Sequence, residues 1–159
     1  ICSTDDSRTY GYGKSVWAMI DTETRQPQNI LAIRDGEIER YIEKDKECPI
    51  EGLSRVKMGK EAKLARTIDT YYCDVDVNGH INSIKYIEHI LDLFDIDHYR
   101  KFRIRRFDIA YVAESYCGDK LNFYTEERDD DTVCVRVTKT NAETVDAEVV
   151  RCMLKFEKI

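Results

Sequence analysis

The cleanest alternation of apolar and polar positions lies in "TVCVRVTK", where Val133, Val135 and Val137 share one side. A two-residue period of that kind marks a strand with one buried face. "KLNFYTEE" before it reads as another strand, and "RDDD" as the turn between the two. "VDAEVVRCMLKFEKI" first places Val145, Ala147 and Val149 in step, then Val150, Cys152, Leu154 and Phe156. That change of parity predicts a β-bulge near Val149. Upstream, "FDIAYVAES" sets Phe107, Ile109, Tyr111 and Ala113 on one face, and "KLARTIDTYYC" alternates as a strand. Between these two, Ile84, Ile87, Leu91 and Phe94 recur at helical spacing, with Tyr86, Ile90 and Leu93 on a neighbouring stripe. The pattern predicts a helix starting near Asn82 or Ser83, both good caps, and buried over more than one stripe. Short turns between the last four strands imply an antiparallel sheet. The predicted class is α+β, a curved antiparallel sheet wrapped around a central helix.

The first part of the chain reads differently. Residues 1–47 resemble a hairpin, with "ICST" and "YGKSVWAMID" as its strands, a turn at Asp35–Gly36 and a short helix after it. Such a piece cannot bury a stable core alone and is expected to pack on something else. Residues 48–62 carry Pro49 and two glycines without a clear period and read as a linker. The expected organisation is therefore a partial N-terminal unit at 1–47, a linker at 48–62 and a complete domain at 63–159. The chain opens at Ile1, without methionine and inside a strand-like stretch, as a fragment would.

Composition narrows the function. The chain has 159 residues, 42% of them hydrophobic, which suits a soluble globular protein. The longest apolar runs, such as Val16–Ile20, fall far short of the roughly 18 residues a membrane span needs. A net charge of −6 argues against a nucleic-acid binder. The six cysteines form no CxxC pair, which argues against a zinc site, and most lie in apolar or alternating segments, so they read as reduced, half-buried thiols of a cytoplasmic protein. His89 and His98 read as surface residues.

Candidate chemistry concentrates in "DVDVNGHINSIKYIEHI", residues 74–90. Asp74, Asp76, Asn78 and Gly79 match the first ligand positions of an EF-hand loop, but Lys85 stands where a bidentate glutamate belongs. The same residues also suit a plain strand-to-helix turn. A third reading is catalytic. Asp76, Asn78 and His80 alternate, so an extended backbone points them the same way, beside a helix start able to stabilise an oxyanion. The pattern alone does not decide between the turn and the catalytic site.

"DVDVNGHINSIKYIEHILD" resembles the active-site segment of the acyl-acyl carrier protein (acyl-ACP) thioesterases of plants and bacteria, D-x-D-x-N-x-H-x-N-x-x-K/R-Y-I. "GKSVWAMIDTETRQP" and "RIRRFDIAYVAESYCGDKL" resemble two further segments of that family in the right order, and the bacterial branch looks nearest. The resemblance implies two tandem hot-dog folds, with most of the first lying before Ile1. It implies hydrolysis of fatty acyl-ACP to free fatty acid and holo-ACP, with no metal or organic cofactor. By the same resemblance, Asp76, Asn78 and His80 match the family's D-x-N-x-H and Glu114 its glutamate, while Ser115 falls where the family has a cysteine. That departure favours water activated by Glu114 over a thiol nucleophile, with Ser115 a lesser candidate. The implied partner is acyl carrier protein bearing an acyl-phosphopantetheine, with no nucleic acid and no membrane span. The two hot dogs would pair within the chain or between copies in a homodimer. Alternatives are an inactive acyl-binding remnant and an acyl-CoA thioesterase or dehydratase of the same fold. The cluster Arg100, Lys101, Arg103, Arg105 and Arg106 could steer an acidic carrier protein, or could be a solvated rim.

Overall fold

A computed structural model of the chain describes residues 1–43, 45, 49–52, 55–59 and 61–159. It divides into two compact units, residues 1–53 and 54–159. Of the stretch expected as a linker, Cys48, Leu53, Ser54 and Lys60 lie outside the described residues, whereas Val56 is buried and the Gly59 N–H donates to Glu126.

In the first unit, β1 (Met19–Ile20) pairs antiparallel with β2 (Pro27–Gln28). The connecting turn closes on Asp21, whose Oδ1 accepts the backbone N–H groups of Glu23 and Thr24 at 3.0 and 2.7 Å. "ICST" contributes only a bridge, Cys2 to Thr9. The hairpin is thus shorter than the sequence suggests, because none of the described residues of this unit is buried. A ladder with no apolar surface to cover gains little from lengthening. A 3-10 segment, Ile30–Tyr41, is interrupted at the expected Asp35–Gly36 turn, where Arg34, Asp35 and Gly36 all take positive φ.

The second unit is a five-stranded, wholly antiparallel sheet in the order β3-β5-β6-β7-β4. Its strands are β3 (Lys63–Asp69), β4 (Phe102–Tyr111), β5 (Lys120–Asp129), β6 (Thr132–Thr140) and β7 (Ala147–Lys158). Helix α1 (Ser83–Leu91) starts where expected, with Asn82 as N-cap, and is followed by a short α2 (Ile96–Lys101). Tyr86 and Ile90 of α1 share one core with Leu121, Phe123, Val135 and Leu154 of the sheet. Ile84 belongs to the predicted stripe yet is 55% exposed. At 3.6 residues per turn it lies about 120° round the helix from Ile90, beyond the arc the sheet covers. The parity change in β7 is a bulge as predicted. Val137 pairs with Val150 and Thr138 with Glu148, leaving Val149 as the extra residue. Val149 and Val150 are therefore both fully buried.

Cys134 and Cys152 are buried, but Cys2, Cys73 and Cys117 are exposed, more open than the half-buried thiols expected. His89 and His98 are not surface side chains either. His89 Nδ1 and His98 Nε2 are buried, and the His98 ring stacks on Phe102 and meets Phe156 edge-on. Hydrophobic spacing cannot reveal a histidine inserted among aromatic rings from other strands. Among the described residues, no helix is long and apolar enough to cross a membrane.

Candidate active site

The loop before α1 is pinned at both ends. Val75 and Ile81 form a bridge, the Asp76 N–H donates to the His80 carbonyl at 2.8 Å, and the Gly79 N–H donates to the Asp76 carbonyl at 3.1 Å. Gly79 sits at φ +83, a conformation a side chain would strain. Asp76 Oδ1 accepts the N–H groups of Asn78 and His80 at 2.8 and 3.1 Å. The loop is therefore a tight turn, and the expectation of an extended segment presenting Asp76, Asn78 and His80 side by side does not hold. Asp76 bonding the backbone two and four residues on is what bends it. Asp76 faces the loop's own backbone, Asn78 is exposed at the tip, and His80 is half-buried beneath it.

Desolvation pushes the Asp76 carboxyl up, but the Asn78 and His80 N–H groups, the His80 charge and the Asn78 side chain outweigh it and hold it below the usual range. The ionised form is the one the fold favours. The turn is accordingly expected to persist above the ordinary Asp pKa and to be lost as pH falls through the depressed folded value. Amide shifts of Asn78 and His80 followed by NMR through that interval check this.

Glu114 arrives from the other side. After β4, the Val112 and Ala113 N–H groups both donate to the carbonyl of the bulged Val149, at 2.8 and 3.3 Å. The Ile81 N–H donates to the Ser115 carbonyl at 2.9 Å, bonding the two segments directly. The result sets His80 Nε2 3.5 Å from Glu114 Oε2, with the two side chains 29% and 40% exposed. Tyr116 lies edge-on to the His80 ring at 5.3 Å and donates its hydroxyl to Glu114 Oε2 at 3.3 Å. Lys139 of β6 donates to the Glu114 carbonyl at 2.7 Å and stands over the Tyr116 ring. Sequence reasoning missed Tyr116 and Lys139. Lys139 is brought in only by strand order, and no spacing signals it.

Asn82 Oδ1 accepts the Ile84 N–H at 2.9 Å, so the first turn of α1 is already capped. An oxyanion at that N–H would compete with the cap. Ser115 is no candidate nucleophile, being 0% exposed with its hydroxyl bonded to that of Tyr86. Ser115→Ala is expected to cost about 1–3 kcal/mol by stranding the Tyr86 hydroxyl. It should leave turnover near the parent's, as urea unfolding and a rate assay would together show. The calcium reading finds no support in geometry either. Asp74 Oδ2 accepts the Tyr71 N–H at 2.8 Å, and Asp76 is committed to the turn. Among the described residues, no cluster of His, Cys, Asp or Glu is arranged to hold a metal.

The basic cluster is partly neutralised where it stands. Arg100 pairs with Asp97 at 2.7 Å, Arg103 with Glu157 at 2.6 Å and Arg106 with Asp108 at 2.6 Å. Lys101 and Arg105 are exposed beside them.

A five-stranded antiparallel sheet carrying a helix on one face is the hot-dog fold. Residues 57–158 match the acyl-ACP thioesterase C-terminal domain model. The chain belongs to the acyl-ACP thioesterase family. It superposes on the crystal structure of an acyl-ACP thioesterase from Bacteroides thetaiotaomicron with a TM-score of 0.75 and 45% identity, over 87% of this chain and 53% of that one. The 12:0-ACP thioesterase from Umbellularia californica shares the fold at a TM-score of 0.69 and 20% identity, over 88% of this chain and 53% of that one. The chloroplastic palmitoyl-acyl carrier protein thioesterase of Arabidopsis thaliana is 29% identical over 120 residues, 74% of this chain and 28% of that protein. The chain thus spans about half the length of the two solved structures and 28% of the Arabidopsis protein.

Proposed function

We propose that this chain hydrolyses fatty acyl thioesters carried on the phosphopantetheine of acyl carrier protein, a terminating step of fatty acid synthesis. The observation that carries the reading is the 3.5 Å approach of His80 Nε2 to Glu114 Oε2 within a chain of this family. Glu114 takes a proton from water as general base, and the oxygen attacks the acyl carbon. The C–S bond then breaks, the pantetheine sulfur leaves and takes up a proton, and the fatty acid is released. His80 and Asn78 position the water and the thioester, and Asp76 keeps the turn that presents them. The positive end of α1 adds a favourable field for the developing oxyanion, although Asn82 already takes its Ile84 N–H.

Release of free thiol from a saturated acyl-ACP, compared with the same acyl group on coenzyme A, tests the reading. Faster release from the carrier protein supports it. Equal or faster release from coenzyme A makes the chain an acyl-CoA thioesterase. Binding of the acyl-ACP without release makes it an acyl-binding protein, and hydration of an enoyl thioester makes it a dehydratase.

A further inference from the structure

We propose that Tyr116 is a positioning residue that keeps the Glu114 carboxylate turned toward His80, an inference that rests on the hydrolase reading above. A glutamate side chain 40% exposed ordinarily samples several staggered rotamers of similar energy. Here its Oε2 is met from two sides, by His80 Nε2 at 3.5 Å and by the Tyr116 hydroxyl at 3.3 Å. Tyr116 is itself 45% exposed, and what holds it is an anchored backbone together with two ring contacts. The Tyr116 N–H donates at 2.9 Å to Oδ2 of Asp119, which is only 4% exposed. The other oxygen of Asp119 accepts Asn141 Nδ2 at 2.7 Å, so that anchor is rigid. The Tyr116 ring lies between two further neighbours, the His80 ring at 5.3 Å and Lys139 Nζ at 5.4 Å from its centroid. Lys139 also holds the Glu114 backbone through its carbonyl at 2.7 Å. Backbone and side chain of Glu114 are thus braced by one aromatic–cation pair.

The distance decides the role. Short hydroxyl–carboxylate bonds measure about 2.5–2.7 Å, and the longer Tyr116 contact suits steering of the carboxylate better than sharing of its proton. Tyr116 therefore acts through Glu114.

Tyr116→Phe removes the hydroxyl and keeps the ring that packs on His80 and Lys139. Crystal structures of the whole chain with and without this substitution are expected to show Glu114 rotated beyond contact with His80 in the variant. In parallel, kcat on acyl-ACP is expected to fall about tenfold with KM nearly unchanged, the signature of lost alignment rather than lost binding. Glu114 remaining within reach of His80 in the variant overturns the proposal, whatever the rate does. A parent chain without turnover would defeat the hydrolase reading, and the two structures would still decide what Tyr116 does.

Discussion

Glu114→Gln is expected to lower kcat for acyl-ACP hydrolysis about a hundredfold to ten-thousandfold, the usual contribution of a positioned general base. Gln keeps the length and shape of the side chain and can still accept the Tyr116 hydroxyl, so the fold and the Tyr116 contact survive while the basicity is gone. Rates on acyl-ACP, with thermal unfolding as the control for folding, provide the measurement. A loss confined to kcat would mean that the carboxylate works in the transition state and not in holding substrate. Activity retained in this variant would remove Glu114 as the base and leave His80, 3.5 Å away, to take the proton directly. Glu114→Gln separates the two, since it abolishes only the first scheme, and His80→Ala, which disables both, is the control that shows the site is in use.

The largest stability effect is expected at Ile90. Its side chain is 0% exposed and sits where α1 meets the sheet. Truncation to alanine removes three carbons from a packed core and is expected to cost about 2–5 kcal/mol. Set against the 5–15 kcal/mol or so of a typical domain, that is a large fraction of the whole. Urea unfolding should show a lower midpoint with an unchanged slope. Ile84→Ala on the same helix should cost no more than about 0.5 kcal/mol, because that side chain is 55% exposed. The contrast tests which arc of α1 the sheet covers, a question the broad apolar pattern of the helix leaves open.

Much of the second unit was legible because its signals are local. Asn82 caps α1 through the next turn's own N–H, and the valines of β6 declare their period within a single strand. Even the irregular Val149 announces itself, since a parity change needs only neighbours to be seen. What the sequence hides is set by contacts between distant segments. The turn at Asp76 is hidden because alternation of polar residues looks the same in a strand and in a bent loop. Only the paired N–H bonds to its carboxylate distinguish them. The arginine run reads equally as a steering surface or a solvated rim, and no spacing shows that Arg103 finds Glu157 on the paired strand β7, fifty-four positions away. Tyr116 and Lys139 meet at Glu114 because β6 runs close to the segment after β4, and no motif spacing encodes that meeting. The His80–Glu114 pair is visible only through resemblance, since thirty-four positions separate the two and periodicity is silent over such a span.

One surplus amino acid in β7 governs where the presumed base stands. The Val149 carbonyl takes both amides that lead the chain toward Glu114. Deleting that single valine would leave a strictly paired ladder, with Val150 still opposite Val137 and Glu148 still opposite Thr138, but would remove the bulge that holds the strap bearing the acid. The proposed hydrolysis would then be lost with His80 and Glu114 both still encoded, through a frame-preserving deletion outside the motif that names the family.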